Sequence, residues 1–95
     1  MQERVAPSLP EFPRLAPGVR LQFDRRRSLW LLLGPERVVE TEGPANEILQ
    51  RCDGSRTVEQ IVDELSELYA ADRGEIVNDV AEILSELVIK RMIVG

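Results

Sequence analysis

An α+β domain, with a three-stranded antiparallel sheet followed by three helices, is predicted by three observations on the 95-residue chain. Apolar and polar residues alternate from Val19 to Asp24, and short apolar runs continue to Thr41. From Pro44 onward the apolar residues recur every three or four positions. The first two helical stretches are parted only by a break at Asp53 and Gly54. Strands leading into helices, two of them joined by a tight turn, predict a winged helix-turn-helix-like domain over residues 18–95.

Residues 1–17 hold Pro7, Pro10, Pro13 and Pro17 and no periodicity, so they are expected to form a proline-rich arm, flexible or exchanged onto a neighbouring molecule. Leu9, Phe12 and Leu15 are the residues able to pin it to the domain. Val19, Leu21 and Phe23 then point to one side of a half-buried strand. Asp24 to Ser28 makes a turn, and the unbroken run Leu29–Leu33 predicts a strand covered on both faces, by the helices on one and by the arm or a second subunit on the other. Gly34 to Arg37 turns the chain again, and Val38–Thr41 is short enough for an edge strand.

Pro44 suits the first turn of the helix that carries Ile48 and Leu49. Thr57 with Gln60 has the form of a capping box before Val58, Ile61, Val62, Leu65 and Leu68. Asp72 with Glu75 repeats that form before the longest stripe, which includes Ile76, Val77, Val80, Ile83, Leu84, Leu87 and Val88. Met92, Ile93 and Val94 are expected to close against the core.

Composition narrows the function. One cysteine and no histidine remove zinc sites built on those residues and the serine–histidine and cysteine–histidine catalytic pairs, so no catalytic residue, metal site or cofactor is expected. The prolines and acids of the first residues do not make a signal peptide, and no run is long enough to span a membrane, so a cytoplasmic protein is expected. Cys52, in phase with Ile48 and Leu49, reads as a core thiol. The net charge of −5 divides unevenly: residues 1–37 carry seven arginines against four acids, and residues 38–95 carry five bases against thirteen acids.

That division argues against the commonest use of a winged helix. A DNA reader needs cations for phosphates, yet the second helix offers Glu59, Asp63, Glu64 and Glu67, and the third offers Glu75, Asp79, Glu82 and Glu86. Arg25, Arg26 and Arg27 in a turn read as a solvated loop rather than a DNA-contacting wing. The acidic pairs read as solvent-facing rather than as acid–base or metal-binding groups. A short edge strand beside an apolar helix can instead accept an extended peptide, through backbone hydrogen bonds at the edge and side chains in the groove. A homodimer contact is the structural alternative for the same residues.

RLQFD at 20–24, LWLLLGPE at 29–36, ANEILQRCDGSRTVEQIVDEL at 45–65 and NDVAEILSEL at 78–87 together resemble the PqqD family over about residues 14–94. Gly34, where an aromatic commonly precedes Pro-Glu, and Arg37, where glycine is usual, depart from the pattern. The resemblance implies a non-enzymatic peptide chaperone of pyrroloquinoline quinone (PQQ) biosynthesis. It would bind the leader of a ribosomally made precursor peptide and present it to a radical S-adenosylmethionine enzyme, with no nucleic-acid or membrane partner. The expected peptide site combines Arg37, Val38, Val39, Glu40 and Thr41 with Val77, Val80, Ala81 and Leu84 of the third helix. The alternatives are a nucleic-acid-binding winged helix and a plain dimerisation module.

Overall fold

The computed structural model describes residues 9–41 and 43–95. Its elements run β1 (Arg14–Leu15), β2 (Arg20–Asp24), β3 (Leu29–Leu33), β4 (Val38–Thr41), α1 (Pro44–Gln50), α2 (Val58–Tyr69), α3 (Arg73–Ile89) and β5 (Ile93–Val94). The fold is α+β, with β2, β3 and β4 forming an antiparallel sheet in that order. Its three strands follow the three runs read from the sequence.

The register aligns Leu21, Leu32 and Val39 across the sheet, and Phe23, Trp30 and Thr41 beside them. This face looks toward the helices. Leu32 has no exposed surface, and Leu21 and Val39 pack partly buried against the same cluster. On the opposite face the half-buried Leu29, Leu31 and Leu33 stand across from Asp24, Gln22 and Arg20. At the β2–β3 turn the Asp24 carboxylate accepts the backbone N–H groups of Arg26 and Arg27. The Arg27 guanidinium lies 3.7 Å from Asp24 and 3.5 Å from Glu40, so this arginine belongs to the turn's own ion pairs.

The helices enclose the core. Pro44 occupies the start of α1, where its missing N–H costs nothing. Thr57 and Gln60 complete a reciprocal capping box at α2, and Asp72 accepts the Glu75 N–H at 3.3 Å to cap α3. Ile48, Leu49 and Cys52 meet Ile61, Val62 and Leu65 of α2 and Ile76, Val80, Leu84 and Leu87 of α3. Between α1 and α2, Gly54 has φ 85°, a left-handed conformation that glycine adopts without steric cost. Glu64 braces the same turn, accepting from Arg51 at 2.9 Å and Arg56 at 2.8 Å.

A pairing not anticipated from the sequence ties the described part of the proline-rich stretch to the chain end. Leu15 pairs with Ile93 and Arg14 with Val94, the Ala16 N–H donates to the Met92 carbonyl at 3.0 Å, and the Gly54 N–H donates to the Pro13 carbonyl at 3.0 Å. Pro13 is fully buried. A two-residue strand has no readable period, and its partner lies at the far end of the sequence. Residues 1–8 of the expected arm lie outside the described residues. From Leu9 on, this stretch packs beside α3 and β5.

Candidate functional site

The candidate site is the open edge of β4 and the groove beside it. Among the described residues β4 pairs only with β3. The Gly34 N–H donates to the Arg37 carbonyl at 2.9 Å, which sets the phase of the ladder. With the register Leu33↔Val38 and Leu32↔Val39, the backbone groups of Val39 and Thr41 point to β3, and those of Val38 and Glu40 point to the free edge. Side chains alternate in step: Val39 and Thr41 face the helices, while Val38 is 62 % exposed on the outer face with Glu40. Thr41 anchors the strand's end, its buried hydroxyl donating to the Trp30 carbonyl and hydrogen-bonded to the Asn46 side chain.

Alongside this edge runs a cleft of about 190 Å³ lined by Val39, Glu40, Thr41, Ala45, Leu49, Ile83, Glu86 and Leu87. The floor is apolar and the rim carries Glu40 and Glu86. Such a cleft fits one or two apolar side chains of an extended peptide whose backbone bonds to Val38 and Glu40.

Val39, Glu40 and Thr41 of β4 line one cleft with Ile83, Glu86 and Leu87, a flank of α3 other than the one expected. Val80 and Leu84 have no exposed surface and belong to the core. Val77, 40 % exposed, and Ala81 lie about 120–180° around α3 from Ile83 and Glu86, at about 100° per residue. None of these four lines the cleft. Arg37, just before β4, is exposed and borders a second cleft near the end of α3. Ile83 and Leu87 belong to the apolar stripe of the sequence. Nothing in that stripe says which side crosses β4, because α3 is apolar on both flanks of its core face.

Several of the other titratable groups are buried or engaged in ion pairs. The Cys52 thiol donates to the Ile48 carbonyl at 3.2 Å, and burial, then the Asp53 charge, pushes its pKa up to about 12. Arg56, then Arg51, holds the Glu64 carboxyl below the usual glutamate range, and Ser55 does the same for Asp53. Asp63 pairs with Arg73 at 2.7 Å, and Glu86 with Lys90 at 3.0 Å. Among the described residues no cluster of three or more histidine, cysteine or acidic side chains is placed to hold a metal, and no helix is long and apolar enough to cross a membrane. α2, the second helix of the helix–turn–helix, carries no cation to meet a phosphate.

Comparison with known proteins gives a consistent set of relatives. The family described as coenzyme PQQ synthesis protein D (PqqD) matches residues 30–93. A PqqA binding protein of Rhodopseudomonas palustris (strain BisB5) is 48 % identical over 80 residues, 84 % of this chain and 76 % of that protein. A PqqA binding protein of Xanthomonas oryzae pv. oryzae (strain PXO99A) is 47 % identical over 81 residues, 85 % of this chain and 88 % of that one. Among solved structures, the PqqD truncation of Methylobacterium extorquens PqqCD is 40 % identical with a TM-score of 0.76, covering 87 % of this chain and 88 % of that chain. It is described as a functional, stand-alone recognition element for ribosomally synthesised and post-translationally modified peptides. The crystal structure of PqqD from Xanthomonas campestris is 41 % identical with a TM-score of 0.57, over 96 % of this chain and 94 % of that one.

Proposed function

The chain belongs to the PqqD family, and we propose that it binds the PqqA precursor peptide in PQQ biosynthesis by adding the peptide's leader as a strand to the open edge of β4. The observation that carries this reading is the pairing of outward backbone groups at Val38 and Glu40 with an apolar cleft on the same edge. Backbone bonds supply affinity that is indifferent to peptide sequence, and the Leu49–Ile83–Leu87 floor selects for an apolar side chain. The contacts on α3 are Ile83, Glu86 and Leu87 rather than Val77, Val80, Ala81 and Leu84.

Binding without chemistry is the rest of the proposal. The protein holds the precursor and hands it to a radical S-adenosylmethionine enzyme of the same pathway in the cytoplasm. With a single, buried cysteine, this chain has no thiolate set for an iron–sulfur cluster, which agrees with radical chemistry residing on the partner.

An amide NMR titration of labelled protein with PqqA, and with PqqA lacking its leader, tests the site. Saturable shifts are expected along residues 37–41 and 83–87, absent with the truncated peptide. Saturable shifts confined to the outer sheet face or to α2 would overturn the groove, and no shifts from folded, monomeric protein would overturn peptide binding.

A further inference from the structure

The edge of β4 leads past Val38 into a second cleft of different chemistry. This cleft, about 330 Å³, is lined by Gly34, Glu36, Arg37, Lys90, Arg91 and Met92, among others. Three cations border it against one carboxylate, in a chain whose net charge is −5. Lys90 of this cleft is paired with Glu86, which lines the other, whereas Arg37 and Arg91 have no ion-pair partner among the described residues. Glu11 lines a separate hollow that Arg91 also borders, without closing an ion pair. A Cβ at Gly34 would stand 3.1 Å from the Met92 methyl, so glycine lets the turn sit close against that side chain.

Arg91 occupies an unusual place for an arginine. The Met92 N–H donates to the Leu87 carbonyl and the Arg91 N–H to the Val88 carbonyl, both at 2.9 Å, closing α3 with the pair of hydrogen bonds that normally goes with a left-handed glycine. Arg91 takes that conformation, with φ 63°. Ser28 and Ala70 do so elsewhere; what sets Arg91 apart is that it carries a charge on the border of this cleft.

Resting on the peptide-binding reading above, we infer that the Arg37–Lys90–Arg91 cleft is an anion subsite for a carboxylate side chain of the bound precursor. A strand advances about 3.3 Å per residue and returns to the same face every second residue. The acidic residue therefore lies two or four positions from the apolar residue seated over Leu49 and Ile83. The ligand is a peptide with an apolar anchor and an acid in that spacing.

The test is calorimetric binding of PqqA to wild type and to the R37Q/R91G double variant at low and high salt, with a PqqA series in which each acid is replaced by its amide. Glycine at 91 suits the helix end, so the variant is expected to fold with an unchanged or higher Tm. Its Kd is expected to rise roughly two- to thirtyfold, from two partly exposed ion pairs. One amide peptide is expected to lose affinity against wild type and lose nothing further against the variant. Equal Kd for variant and wild type, or no coupling with any peptide acid, overturns the subsite while leaving the groove intact. No binding to wild type overturns both.

Discussion

Replacing Glu40 by proline removes one outward amide from β4 and leaves its ladder to β3 whole. The ladder phase turns the Glu40 N–H to the open edge, and a proline is tolerated on an edge strand whose N–H faces outward. The side chain's contact with Arg27, 3.5 Å between two exposed groups, contributes about 0–1 kcal/mol. Stability is therefore expected to change by about 1 kcal/mol or less. A bound peptide loses more, because the carbonyl opposite Glu40 is left facing a ring instead of a donor, at a cost of about 1–3 kcal/mol. That corresponds to a rise in Kd of roughly five- to 150-fold. Glu40→Ala, which keeps the amide, is expected to bind within about threefold of wild type. Calorimetry with PqqA reads the affinity, and urea unfolding reads the stability. Val39→Pro shows the opposite pattern, since its amide bonds to β3 and its loss weakens the sheet itself. Wild-type affinity in a folded Glu40→Pro protein would refute strand addition at this edge.

Leu84→Ala is expected to cost about 2–5 kcal/mol of stability, with the surviving folded protein binding PqqA normally; Ile83→Ser is expected to weaken binding with a smaller stability loss. Weaker binding by folded Leu84→Ala would return that residue to the site. Cys52, 4 % exposed, is expected to ignore a disulfide reagent at pH 8 and react in denaturant; fast native labelling would disprove its burial. For Glu64 the folded pKa lies below the unfolded one, so its ion pairs stabilise the fold above the ordinary value of 4.5 and are lost as pH falls through the lowered value. Thermal melts between pH 2.5 and 7 are expected to show a shallower acid decline in Glu64→Gln, and an identical decline would exclude this contribution.

The architecture was legible because each element carries its own local signal. Alternation across Val19–Asp24, the Pro44 start, the Thr57–Gln60 box and the stripe through Ile76, Val80, Leu84 and Leu87 all rest on residues within one or two turns of each other. Of the candidate site, the sequence suggests only the strand side. Val38–Thr41 reads as an edge from its length, but that Ile83 and Glu86 line the cleft beside it, and Lys90 and Arg91 the next one, depends on how α3 crosses the sheet.

Local chemistry in the sequence thus determines where strands and helices begin and which faces are apolar. Tertiary structure alone decides which flank of α3 lies along β4, which amides of β4 face outward, and that Leu15 meets Ile93. The physical reason is range. Periodicity and capping act over three to seven residues, whereas these choices are set by packing and ladder phase between segments brought together only when the core closes.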